Sequence, residues 1–176
     1  IKSVSTSDYL TTNFEEPVYC KIDVLEYNKR KDGLVLTNRD FYNNPSDYES
    51  DFMRFAAVTD YFIAGHFFGD GSPFLFTRED AKKDHFKIRL VADISCDIDG
   101  PVASTLRAST IADPVYGYDP TTATEVNFKT PGAIAVMAVD NLPCELPKDA
   151  SEDFGNELIQ NILPNLVGED VDHIIE

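Results

Sequence analysis

Hydrophobic and polar positions along this chain fall into a few patterned segments, and those segments predict its elements. Val18-Tyr19-Cys20-Lys21-Ile22-Asp23-Val24 alternates apolar and polar side chains, which predicts a half-exposed strand, while Asn28 to Gly33 reads as a charged turn. Asn44-Pro45 has the form of a helix start, with Tyr48, Phe52 and Phe55 recurring at helical spacing after it. The apolar run Tyr61-Phe62-Ile63-Ala64, closed by Gly65, predicts a buried strand, and Gly69 to Pro73 a loop. Thr77-Arg78-Glu79-Asp80 resembles a capping box opening a short helix that ends near Lys83. Strands follow at Ile88 to Ile94, Thr124 to Phe128 and Ala133 to Val139, the last apolar throughout, as in a sheet covered on both faces. Beyond Pro147 an amphipathic helix gathers Phe154, Leu158, Ile159, Ile162, Leu163 and Leu166 on one stripe.

Strands alternating with helices and loops predict an α/β fold built on a parallel sheet. The most informative segment is Leu90 to Gly100, where an apolar strand runs into Asp93, Asp97 and Asp99. In open α/β sheets the carboxyl ends of parallel strands form the ligand crevice. Read from the residues alone, these acids either face a ligand or cap a turn, and both readings stand.

Composition narrows the function. Thirty-one acids against fifteen bases give a net charge of -16, which repels nucleic acid and anionic lipid surfaces. With 43% hydrophobic residues the chain can bury a core. Cys20, Cys96 and Cys144 are odd in number and lack zinc spacing, so a reducing cytoplasmic setting without structural metal is expected. No apolar run approaches the about 18 residues that span a bilayer. The chain opens at Ile1 without a methionine, and a C-terminal portion of a longer protein is expected.

Other motifs fail on inspection. Placing Gly100 at the sixth position of a calcium loop puts Ser95 first and Leu106 twelfth, where carboxylates are required. Gly69-Asp70-Gly71-Ser72-Pro73-Phe74 starts like a dinucleotide glycine loop, but Phe74 replaces the third glycine and Pro73 removes an amide. No GxSxG elbow supports a hydrolase. His66, His85 and His173 are isolated in sequence and read as structural or surface residues.

Leu75-Phe76-Thr77-Arg78-Glu79-Asp80-Ala81, then Val91 to Asp97, then Val139-Asp140-Asn141-Leu142-Pro143 through Leu146 to Ser151 occur together in an order that resembles the saccharopine dehydrogenase and lysine-ketoglutarate reductase family. That family is related to alanine dehydrogenase and the nicotinamide nucleotide transhydrogenase subunit. The resemblance covers roughly residues 45 to 166. It implies the later part of a Rossmann-like NAD(P)-binding lobe over residues 1–143, with a helical segment over 144–176 returning to a catalytic lobe. NAD or NADP would be the cofactor and a small amino acid or 2-oxo acid the substrate; a homo-oligomer is left open. The resemblance implies that Asp97 lies beside nicotinamide and substrate, with Asp93 and Ser95 as supporting neighbours. Val139, Asn141 and Leu142 would line the nicotinamide pocket. The glycine-rich phosphate loop and the lobe with the family's catalytic lysine and histidine have no counterpart in these residues, and Asp99 stands where relatives more often carry a neutral residue. The competing expectation is a non-catalytic binding or assembly module that docks through the 147–166 helix.

Overall fold

The computed structural model describes residues 1–35 and 37–170. The chain divides into two compact units, Ile1–Asp140 and Asn141–Glu176. His173 lies outside the described residues.

The first unit begins with β1 (Lys2–Ser3), α1 (Thr6–Thr11) and β2 (Val18–Tyr19), the two short strands pairing in parallel. The strand expected over Val18 to Val24 is therefore shorter, and Asp23 instead opens a turn closed by Glu26, whose amide donates to the Asp23 carbonyl at 2.9 Å. β3 (Asn28–Arg30) occupies what reads as a turn, because β4 (Tyr48–Ser50) pairs with it antiparallel. Between them lies α2 (Asn38–Asn43), capped by the Thr37 hydroxyl, which accepts from the Asp40 amide at 3.2 Å. The helix expected from Asn44-Pro45 is a single 3-10 turn, Pro45–Asp47, leading directly into β4. Tertiary pairing with β3 overrides the local helix signal there, and the apolar spacing is met by α3 (Met53–Ala56).

A five-stranded sheet carries the core: β5 (Tyr61–Ala64), β6 (Leu90–Asp93), β7 (Val115–Asp119), β8 (Thr124–Val126) and β9 (Ile134–Met137), in spatial order β5-β6-β9-β7-β8. The first three are mutually parallel, as expected; β7 is antiparallel to both β9 and β8, so the sheet is mixed. Val91 and Val136 are fully buried at its centre, beside Phe52, Phe55 and Phe76. Tyr116 and Tyr118 carry β7 into the same core. The Thr77–Asp80 pair forms the expected reciprocal cap, but the turn it opens is 3-10, Asp80–Lys82.

The second unit holds a 3-10 turn, Leu142–Glu145, then α4 (Pro147–Glu157), a π-helical turn (Leu158–Ile162) and α5 (Leu163–Val167). Pro147 opens α4 at the position where a missing amide costs nothing. Pro164 has no amide to give the preceding turn, and the helix widens to a π turn just before it. No residue of α4, the π turn or α5 is buried.

Candidate active site at the carboxyl ends of the parallel strands

β5, β6 and β9 end side by side, so Gly65-His66, Ile94 to Gly100 and Ala138 to Asp140 leave one edge of the sheet. The β6 end is tightly built. Asp93 is buried, one carboxylate oxygen accepting from the Cys96 amide at 3.1 Å and the other from the Thr105 hydroxyl at 2.6 Å. A buried carboxylate so partnered holds its loop.

That loop is bent by two residues in the left-handed region, Cys96 and Asp99, both at φ 53°. Each costs of order 1–3 kcal/mol, which the surrounding hydrogen bonds must outweigh. The Gly100 amide donates to the Asp97 carbonyl at 3.0 Å and the Asp99 amide to the Thr105 carbonyl at 3.2 Å. A Cβ at position 100 would stand 2.7 Å from Asp97 Cβ and 2.8 Å from its carbonyl oxygen, so the turn requires glycine. The Cys96 thiol donates to the Ala138 carbonyl at 3.2 Å, tying the ends of β6 and β9. Burial pushes that thiol's pKa up, and Asp93, Asp140 and Asp97 push it further, so Cys96 stays protonated. Asp97 is half-buried at the turn, and Asp99 is exposed and paired to Arg78 at 2.8 Å.

At the end of β9, Val139 is buried. Ser109 brackets it: the Ser109 amide donates to the Ala138 carbonyl at 2.8 Å and its hydroxyl accepts from the Ala138 amide at 3.0 Å. Asn141 and Leu142 belong to the second unit, where the Cys144 amide donates to the Asn141 carbonyl at 3.1 Å.

Sequence reasoning passed over His66. The sheet brings its Nδ1 to 3.2 Å from the Ser95 hydroxyl, and Ser95 also stands 3.4 Å from the Ala64 carbonyl. His66 Nε2 is buried with no hydrogen-bond partner among the described residues. Burial lowers the imidazole pKa, and Asp93 and Asp97 pull it back up. The sequence carries a signal for it: His66 follows the apolar run Tyr61 to Ala64, and ligand-facing groups lie at strand ends. Beside β5 opens a cavity of about 530 Å³ with Tyr9, Tyr27, Tyr42, Phe52, Phe62 and His66 among its lining. Burial, aided by Tyr42 and Asp23, pushes the Tyr27 pKa up to about 12, so this wall stays neutral.

The edge therefore presents carboxylates and a neutral imidazole. Such a set suits a cationic or amine-bearing group and repels phosphate. Among the described residues no group of three or more His, Cys, Asp or Glu side chains could hold a metal ion, and no helix is long and apolar enough to cross a membrane.

No family model matches the chain. Over 162 residues it is 25% identical to an alpha-aminoadipic semialdehyde synthase of Arabidopsis thaliana, spanning 89% of this chain and 15% of that protein. Over 95 residues it is 30% identical to a saccharopine dehydrogenase (NAD(+), L-lysine-forming) of Schizosaccharomyces pombe, spanning 52% of this chain and 24% of that one. The chain is similar to proteins named as saccharopine dehydrogenase and alpha-aminoadipic semialdehyde synthase, at low identity. A mitochondrial alpha-aminoadipic semialdehyde synthase of Mus musculus is 28% identical over 148 residues, 73% of this chain and 16% of that protein. The chain spans 15% to 24% of the length of these relatives. Two of the segments that carry the resemblance meet the edge just described: Val91 to Asp97 is the end of β6, and Val139 and Asp140 leave β9.

Proposed function

We propose that this chain forms the nicotinamide-side wall of an NAD(P)-dependent amino-acid oxidoreductase, in which hydride passes between the cofactor and the amino-acid or imine carbon. The observation that carries this reading is the convergence of three parallel strand ends on the braced Asp97 turn, in a chain homologous to oxidoreductases of lysine metabolism. Residues 1–143 would serve as the cofactor-binding lobe and 144–176 as the return to a catalytic lobe.

The residues fit the nicotinamide end of such a cofactor better than its pyrophosphate. Asp97 and Asp140 favour the positive charge of an oxidised nicotinamide ring, whereas Pro73 and Phe74 spoil the only glycine-rich loop that could cradle phosphates. When bound, the nicotinamide supplies the hydride chemistry. The chain's own residues orient and exclude water. Asp97 holds a carboxylate at the reacting centre; Asp93 and Ser95 keep its loop in place; Val139, Asn141 and Leu142 wall the nicotinamide pocket. Protons are handled by acid–base groups of the other lobe. The cysteines fit a reducing, cytoplasmic setting, since none of the three is paired.

The test is titration of the full-length polypeptide with NADH and NADPH, followed by assays with lysine plus 2-oxoglutarate, with saccharopine and with alanine. Nucleotide binding and turnover of one of these substrates are expected. Asp97→Asn should then lower kcat by roughly 100-fold while NADH affinity changes little. No binding and no turnover would favour a non-catalytic assembly module instead.

A further inference from the structure

The two edges of the five-stranded sheet are finished differently. β8 carries Thr124 and Glu125, with Glu125 held by Arg107 at 2.7 Å, and such polar and charged positions discourage further pairing. β5, at the other edge, is Tyr61-Phe62-Ile63-Ala64, with no charge or proline in it and an unbroken register against β6. Nothing in that strand blunts its outer side.

The direction of its backbone groups follows from its one partner. The Asp60 and Ala64 carbonyls accept from the Arg89 and Ile94 amides, at 2.9 and 2.8 Å, so Asp60, Phe62 and Ala64 turn toward β6. Alternate residues of a parallel ladder turn the other way, so the amides and carbonyls of Tyr61 and Ile63 face the open edge. They have no backbone partner among the described residues.

Side chains give the same picture. Tyr61 and Ile63 are 67% and 71% exposed, and the face they share with Leu90, Ala92, Ala135 and Met137 carries no charge. Sheets that meet water on one face place polar residues there, whereas apolar residues on both faces mark a strand enclosed within a sheet. Open space lies along the edge. Ile63 and Ala64 border the cavity of about 530 Å³, with Cys20 and Ile22 among its other walls. Tyr61 borders a second cavity of about 790 Å³, with Pro17 and Val18 among its other walls.

We propose that an extended segment of the longer polypeptide adds to the open edge of β5 as a further strand, apolar on both of its faces. Unpaired amides and carbonyls at the spacing of a strand select an extended backbone. Those of two residues are too few to hold a separate chain against its loss of free motion, so the added strand is tethered, which raises its effective concentration. A second copy is opposed by its own net charge of -16. The relatives have the length for a tethered strand, since this chain spans only 15% to 24% of them. The inference goes beyond the oxidoreductase reading and needs no cofactor.

The test is hydrogen exchange of the full-length polypeptide, resolved to single amides by mass spectrometry with electron-transfer fragmentation. The Tyr61 and Ile63 amides should be protected to within about tenfold of the Phe62 amide, which β6 holds, and equally so after a roughly 100-fold dilution. A larger gap from Phe62 means an open edge and overturns the proposal, whether or not NADH binds. Protection lost on dilution assigns the edge to a second copy and overturns it as well. Ile63→Pro deletes one outward amide, and Ile63→Ala deletes only side-chain packing. Proline is tolerated on an open edge, so the proline variant should unfold at a urea midpoint lower than that of the alanine variant by roughly 1 M. Equal midpoints overturn the proposal. Should Ile63→Pro not fold, the exchange of the unmodified polypeptide decides.

Discussion

The ends of β5 and β6 lie next to each other and are built on opposite plans. At β6 both oxygens of Asp93 are used, on the Cys96 amide and the Thr105 hydroxyl, and two left-handed residues are held in place by the bonds around them. At β5 the chain leaves through Gly65 and His66, and a ring nitrogen is left without a partner next to a cavity. One end satisfies its buried carboxylate twice over and the other leaves a buried ring nitrogen unpaired. Buried polar groups in a folded domain are nearly always satisfied, and His66 Nε2 is the exception at these two strand ends.

This contrast can be broken by substitution. Asp93→Ala strands a partly buried amide and a buried hydroxyl, and the loss should be about 3 kcal/mol, read from urea unfolding. A loss below about 1 kcal/mol would mean that Asp93 does not organise the β6 end. Gly100→Ala forces a Cβ against the Asp97 backbone and should cost about 2 kcal/mol by the same measurement.

The β5 end is sharpened by pH. The His66 pKa is lowered in the folded protein, so the unfolded chain binds the proton more readily, and His66 opposes folding as pH falls below its usual 6.5. Asp93 and Asp97 moderate that effect. Between pH 7.5 and pH 5.5 the urea midpoint of the parent should therefore fall more than that of His66→Gln, and equal falls would refute a buried neutral ring. The smallest effect is expected at Asp99. Asp99→Gly removes a left-handed residue at the cost of one exposed ion pair to Arg78, so stability should change by no more than about 1 kcal/mol, in the stabilising direction.

Legibility in the sequence followed the same physics. Leu90 to Asp93 and Ile134 to Met137 were readable because strands inside a sheet show as apolar runs, whereas Tyr61 to Ala64, which reads as a buried strand, is the edge strand β5 with Tyr61 and Ile63 exposed, because no strand pairs on its outer side. β7 was not readable: Pro114, Gly117 and Asp119 look like turn chemistry, and only pairing with β8 and β9 makes Val115–Asp119 a strand. Asn44-Pro45 misled for the converse reason, since its helix signal is local and β4 is made by β3. Asp97 stood out through its acidic company. His66 did not, because its partner Ser95 is 29 positions away.

The sequence by itself determined the α/β class, the three parallel strands and the acid-tipped end of β6, because burial periodicity and turn chemistry are written in neighbouring residues. The tertiary structure alone decided that β7 and β8 make the sheet mixed, that Asp93 braces the Asp97 turn, and that His66 meets Ser95 beside a cavity. Each of those depends on groups distant in the chain and brought within hydrogen-bond reach by the sheet.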